Sequence, residues 1–148
     1  MSTTTGFDDS NIRWQTLDGI DHLHYWILGV DERAKIADII FKFASNQQII
    51  LHRHKALNHT FVLQGEHRLY NRDGSIKDVR PVGRYTTTQP DVDTHREGGG
   101  EGQDVIVHFS IRGTDGLLYE LLDDDENVVG TLTFKDVKDL LAAQQAVT

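Results

Sequence analysis

Apolar positions in this chain come in short, turn-punctuated runs, with one helix-like stretch near the end. Residues 22–30 (His-Leu-His-Tyr-Trp-Ile-Leu-Gly-Val) are β-branched and aromatic enough for a strand. Residues 34–44 read as another, although Ile36, Ile39, Ile40, Phe41 and Phe43 alternate imperfectly with Lys35, Asp38 and Lys42. Ser45-Asn46-Gln47-Gln48 reads as a turn in which Asn46 suits the left-handed conformation. Two apolar runs follow within residues 49–66, separated by a short polar break, and the second ends in Gly65. Residues 66–71 form the next strand, with Asn71-Arg72-Asp73-Gly74-Ser75 as a hairpin turn. Residues 76–88 are strand and turn material punctuated by Pro81 and Gly83, and residues 96–102 make a glycine-rich loop that is flexible by composition. Residues 104–112 are the clearest strand of the second half, and strands at 117–122 and 128–132 flank the acidic turn 123–127. Near the end, Thr133 is placed to cap a helix with Asp136 three residues on, and Val137, Leu140 and Leu141 form its apolar stripe. Many short strands and one terminal helix predict an all-β sandwich or barrel.

The 148 residues suffice for a single domain spanning 1–148, with polar residues 1–12 as a loose N-terminal arm. The absence of cysteine excludes disulfides and thiolate chemistry, so a metal here has His, Asp and Glu as its strong ligands. A formal net charge of -8 with no basic stripe argues against nucleic acid as a partner. Residues 1–10 lack the basic and apolar regions of a signal peptide, and no window reaches the length of a membrane span. The expectation is a soluble, cytoplasmic protein without a membrane partner.

Histidines change this picture. In a strand, Ile50, His52 and His54 share one face, and Ile49, Leu51 and Arg53 the other, so two imidazoles point into the same interior. His22 and His24 have the same spacing without a following apolar run that ends in glycine, and read as ordinary surface or core residues. Counting back from Gly65, Asn58, Thr60, Val62 and Gln64 share one face, whereas His59, Phe61 and Leu63 share the other, which argues against His59 joining the pair. His108 shares a face with Ile106 and Ser110, toward either the cavity or solvent, and His67 is expected to be exposed in its hairpin.

The run from His52 and His54 through Asn58 to Gly65 resembles the first motif of the cupin superfamily. Asn46 stands where that motif has its leading Gly, and Asn58 where it has its acidic ligand. The second motif is met loosely: Pro90 and His95 fit, Gly83 lies one residue too far away, Val92 replaces a Gly and Gly99 replaces an Asn. The resemblance covers roughly residues 35–112. Residues 26–65 and 104–141 look like the small single-domain subgroup similar to acetylacetone-cleaving dioxygenases, dihydroxyacetophenone dioxygenases and the ChrR-type cupin-like domain.

This resemblance implies a jelly-roll-like β-barrel with a short C-terminal helix, and a divalent metal on His52, His54 and His95. With the acidic ligand replaced, three neutral histidines are expected to leave the full charge of the ion for an anionic substrate. Asn58 is a weak further ligand, an orienting group, or neither. The dioxygenases of the subgroup use non-haem Fe(II) and O2 to cleave a carbon–carbon bond beside a carbonyl, so the implied function is an Fe(II) oxygenase acting on a small β-diketone or hydroxy-ketone. The alternatives are a zinc-binding regulatory or ligand-sensing cupin without catalysis, and a metal-independent cupin whose histidines serve as acid and base. Three imidazoles bind Zn, Ni and Mn as well as Fe(II). By position alone, Arg68, Arg84, Tyr85 and Gln89 are the candidates for hydrogen-bonding a substrate oxygen, and Trp26, Phe61 and Phe109 for apolar walls. Exposed barrel edges and the terminal helix make a homodimer or higher homo-oligomer the expected assembly.

Overall fold

A computed structural model describes residues 6–113 and 116–146. In chain order the strands are β1 (Gln15–Thr16), β2 (Leu23–Asp31), β3 (Ile36–Phe43), β4 (His52–His54), β5 (Leu57–Gln64), β6 (His67–Tyr70), β7 (Ile76–Arg80), β8 (Tyr85–Thr88), β9 (Thr94–Gly99), β10 (Val105–Arg112), β11 (Leu117–Leu122) and β12 (Val128–Thr133). One helix, α1 (Phe134–Ala146), follows. Two six-stranded sheets result, ordered β1-β2-β3-β10-β5-β8 and β12-β11-β4-β9-β6-β7, with antiparallel pairing between neighbouring strands. The expected all-β fold with a terminal helix is the one observed. No described helix is long and apolar enough to cross a membrane.

Both sheets contribute to one core. Leu23, Ile27, Ile39, Phe41, Phe43, Val107 and Phe109 of the first sheet pack with Leu118 and Tyr119 of the second. The Phe41 and Phe109 rings meet edge to face at 5.0 Å. The imperfect alternation of β3 has a physical cause. Phe41 and Phe43 face the core, while Ile40 is buried on the opposite face in a groove shared with Phe7, Ile12 and Trp26. Part of the N-terminal arm therefore has a seat: the Phe7 backbone N–H donates to Gln64 Oε1 and Trp14 Nε1 donates to Asp9 Oδ2. Residues 1–5 of that expected arm lie outside the described residues.

Helix α1 starts where the sequence places its cap. The Asp136 N–H donates to Thr133 Oγ1 at 3.1 Å and the Thr133 N–H to Asp136 Oδ2 at 2.8 Å, a reciprocal cap of the kind that contributes about 1 kcal/mol. Val137 is buried, and Leu140 and Leu141 pack on the core. Gln144 then accepts from the Ile27 N–H and donates to the Ile27 carbonyl, so the helix satisfies backbone groups of β2 next to the register shift between Ile27 and Gly29.

The glycine-rich stretch departs from expectation. Residues 94–99 form β9, the strand between β4 and β6, in place of a flexible loop. The segment before β4 runs alongside it: Ile49 N–H donates to the Glu97 carbonyl, Asn46 N–H to the Gly99 carbonyl, and Gly99 N–H to the Ala44 carbonyl. Asn46 holds φ at 58° in this crossing, the left-handed conformation expected of it. A Cβ on Gly98 would run into the Gln47 carbonyl oxygen, and one on Gly99 would come within 3.0 Å of the Phe43 carbonyl. These glycines serve close backbone approach.

Gly98→Ala is accordingly expected to cost about 1–3 kcal/mol or more through overpacking against backbone. Gly29→Ala, with nothing within 4 Å of its added Cβ, is expected to be neutral or slightly stabilising. Urea unfolding midpoints of the two variants decide: equal midpoints contradict the close-approach role of Gly98.

Candidate metal centre

Strand alternation and register assemble the site. His52 and His54 lie on the inner face of β4 with Arg53 turned outward, and His52 stands directly opposite His95 of β9. Two residues beyond His95 on the same face is Glu97. His52, His54, His95 and Glu97 each offer one ligand atom, and the four atoms lie within 4.8 Å of one another. All four residues are buried, at 2–4% exposure. Ring centroids of His95 stand 4.7 Å from His52 and 4.9 Å from His54, and Tyr119 of β11 presses edge-on against His52 and His54.

Hydrogen-bond chemistry tests whether this group suits a metal. His52 Nδ1 is 2.8 Å from the Ile50 carbonyl oxygen, which only accepts, so Nδ1 carries the proton and Nε2 of the neutral ring is bare. That bare nitrogen lies 2.7 Å from Glu97 Oε2. Two lone pairs at this distance need a proton or a cation to reconcile them. Among the described residues, both nitrogens of His54 and both of His95 have no hydrogen-bond partner despite burial. Bare, convergent imidazole nitrogens beside a carboxylate are a donor set for a divalent metal ion.

The electrostatics agree. Burial, reinforced by the neighbouring His95, holds His54 well below the ordinary imidazole value and keeps it in the neutral form that ligates. Burial alone would raise the Glu97 carboxyl. The imidazoles of His52, His67 and His95 around it outweigh burial and hold the group well below the usual carboxylate range. Burial, and then the charge of Glu97, pushes the Tyr119 hydroxyl well above its ordinary value. The phenol therefore stays protonated and donates to Asn58 Oδ1 at 2.7 Å.

The site differs from the sequence-based expectation in its carboxylate. The expected three-histidine centre is joined by Glu97, which sequence reading assigned to a flexible loop. Asn58, left open as a weak further ligand, an orienting group or neither, is fully buried and committed elsewhere: it accepts from Tyr119 and donates to the Ala56 carbonyl at 3.0 Å. His67, expected in solvent, is 0% exposed, because Leu69 of the same strand faces the core and a two-residue step puts His67 beside it. Its Nε2 donates to Glu97 Oε1 at 2.8 Å. The signal available in the sequence was the alternation Thr94-His95-Arg96-Glu97, which places His95 and Glu97 on one face.

Arg68, Arg84, Tyr85 and Gln89 are not brought to the cluster. Arg68 points away from the core and pairs with Glu66, Arg84 and Gln89 are exposed, and Tyr85 is 58% exposed with its hydroxyl on His59 Nδ1. The reason is again parity: Tyr85 is paired with Phe61, which faces outward from β5. Trp26, Phe61 and His108 line the outer groove, and His22 and His24 are exposed. Phe109 alone of the expected apolar walls borders the interior cavity.

That cavity has a volume of about 140 Å³ and reaches His52 and Glu97 at its inner end. Phe41, Phe43, Ile49, Phe109 and Leu121 are among its walls, and no Lys or Arg lines it among the described residues. Asp18 and Thr131 are the exposed members of its lining and mark where it meets the surface.

Fold and site together define a protein of cupin fold that carries a buried His-His-His-Glu group suited to a divalent metal. The chain is similar to an RmlC-like cupin protein from Ralstonia eutropha JMP134, with a TM-score of 0.75 at 16% identity over 99% of this chain and 89% of that one. It is similar to an acetylacetone dioxygenase from Acinetobacter johnsonii, with a TM-score of 0.69 at 11% identity over 97% and 93% of the two chains. A third likeness is to the complex of Rhodobacter sphaeroides SigE with the anti-sigma ChrR, with a TM-score of 0.55 at 23% identity over 68% of this chain and 50% of that one. At these identities the likeness is one of fold. No protein-family model and no curated protein matches the sequence.

The buried groups fix the sign of the acid response. His54 and His67 have folded values depressed below the ordinary 6.5, and Glu97 below the ordinary 4.5, so the unfolded chain takes up protons first. In chelator-treated protein the thermal midpoint is expected to be highest above pH 6.5 and to fall continuously as the pH drops through the imidazole and then the carboxylate range. A midpoint that rises on acidification from pH 7 to pH 5 contradicts neutral buried imidazoles.

Proposed function

We propose that this chain is a metal-dependent oxygenase that holds Fe(II) on His52, His54, His95 and Glu97 and, with O2, cleaves a carbon–carbon bond in a small, uncharged β-diketone or hydroxy-ketone. The observation that carries the reading is the convergence of bare imidazole nitrogens and one carboxylate in a buried group, two members of which, His52 and Glu97, line an apolar cavity. The similarity in fold to an acetylacetone dioxygenase supports it. An iron ion held there supplies Lewis acidity toward a carbonyl oxygen and the electrons that activate dioxygen.

The rest is done by the chain. Phe41, Phe43 and Phe109 wall the cavity and would hold a compact ligand against His52 and Glu97. An apolar cavity of ~150 Å³ accommodates a molecule the size of benzene, so about 140 Å³ suits a ligand of about six non-hydrogen atoms. Glu97 changes the charge balance expected from histidines alone: a divalent ion on this set keeps one positive charge rather than two, enough to offset a singly charged enolate. With no Lys or Arg on the walls among the described residues, the cavity itself offers no partner to a second charge such as that of a phosphate.

A second reading has one observation in its favour. Three imidazoles and a carboxylate complete a four-donor set, which suits closed, tetrahedral zinc, and the fold is similar to that in the complex containing the anti-sigma ChrR. In this reading the chain is a zinc-holding regulatory or ligand-sensing module.

Metal analysis of protein purified without chelator, with oxygen-electrode assays on small diketones and hydroxy-ketones, separates the two. The oxygenase reading expects about one iron per chain and substrate-dependent oxygen uptake, both lost in His54→Ala and His95→Ala. Tightly held zinc without uptake in iron-reconstituted protein establishes the second reading instead. Protein that takes up no divalent metal overturns both.

A further inference from the structure

We propose that His67 is a positioning residue that engages one oxygen of Glu97 and so presents the carboxylate to the metal centre through the other oxygen alone. The inference rests on the metal reading above and adds to it a residue outside the donor set.

Glu97 has two oxygens with different surroundings. Oε1 accepts from His67 Nε2 at 2.8 Å, whereas Oε2 faces the cluster, 2.7 Å from His52 Nε2 and 3.6 Å from His95 Nε2. A carboxylate only accepts, so His67 Nε2 carries the hydrogen, and its Nδ1 is left bare. That Nδ1 is buried with no hydrogen-bond partner. The ring cannot easily turn to relieve it, because it is stacked on Phe43 at 5.5 Å and 19° and meets Phe109 edge-on at 6.2 Å.

A partnerless polar atom in an aromatic pocket costs stability, and a leucine there would not incur that cost. What the imidazole alone supplies in this pocket is a fixed N–H aimed at Oε1. Two consequences follow for the centre. A carboxylate engaged at Oε1 would offer an ion the single donor Oε2, leaving more positions for other ligands. Its orientation is also set before the ion arrives, so binding does not have to order it.

Cobalt(II) binding reports both effects, since the intensity of its visible bands follows coordination number and its affinity is read by competition with a chromophoric chelator. His67→Leu and His67→Met remove the donor, while His67→Gln keeps an N–H donor in the same pocket. In the first two variants affinity for cobalt(II) is expected to fall about 10–100-fold and the visible bands to change intensity. His67→Gln is expected to restore most of both, and the metal-free His67→Leu protein, which leaves Glu97 Oε1 without a donor, to be less resistant to urea than the parent. Unchanged affinity and spectrum in His67→Leu and His67→Met overturn the positioning role and leave the metal reading intact. Failure of the parent protein itself to bind cobalt(II) overturns the metal reading and the inference with it. If neither donorless variant folds, a His67→Gln protein with full parental affinity and spectrum supports the N–H role, and one that binds like a protein without Glu97, tested as Glu97→Ala, overturns it.

Discussion

A carboxylate removed from water in the middle of a sheet needs a hydrogen-bond donor or a cation at each oxygen, and much of the site follows from that requirement. Glu97 is 3% exposed and lies on β9, whose neighbours are β4 and β6. One neighbour sets the bare Nε2 of His52 against Oε2, where a cation reconciles the two lone pairs, and the other supplies the His67 N–H to Oε1. The same three adjacent strands therefore carry the candidate donors His52, His54 and His95 together with the group that orients Glu97. Stripped of these partners the carboxylate would protonate or bring in water, since an unpaired charge at this depth costs several kcal/mol. Phe43 and Phe109 of the opposite sheet pack against the His67 ring that holds the carboxylate.

Close approach of backbone makes the placement of β9 possible. The chain between β3 and β4 crosses beside β9 and exchanges main-chain hydrogen bonds with Glu97 and Gly99, which fixes β9 from outside its own sheet. Side chains at 98 and 99 would hold the two backbones apart and slide Glu97 out of line with His52 and His67. Asn46 supplies the left-handed residue that the crossing needs. The local conformation of residues 44–49 and the chemistry of residue 97 are thus one structural problem with one solution.

Much of the architecture was legible in the sequence, because strand and helix signals are local. The turn at Asn46, the hairpin at 71–75, the strands of the second half and the Thr133–Asp136 cap all depend on a few adjacent residues. So does the inward pairing of His52 with His54, which follows from alternation alone, and the outward direction of His59. Glu97 and His67 were missed for different reasons. The glycines after Glu97 have a composition that reads as flexible when isolated, and their purpose lies in a contact with Gln47 that the local sequence does not announce. His67 looked like a polar residue in a hairpin, and the partner that satisfies it once buried is a carboxylate thirty residues away. Asn58 was legible in direction and not in role, because its partner Tyr119 sits on a strand of the other sheet.

The relation between Asn58 and Glu97 explains why the carboxylate sits on β9 and not on β5. Asn58 occupies the inward position where the resembled motif has its acid, and it spends its carbonyl on the Tyr119 hydroxyl and its amide on the Ala56 backbone. An amide meets both demands at once, whereas an ionised carboxylate has no hydrogen to give to the Ala56 carbonyl. It would also stand behind the ring edges of Tyr119, in the same buried region as Glu97, where two carboxylates repel and one must take up a proton. Only one acid fits this interior in its charged form. The strand that carries it is the one flanked by His52 and His67, while burial, reinforced by His95, holds His54 in its unprotonated form.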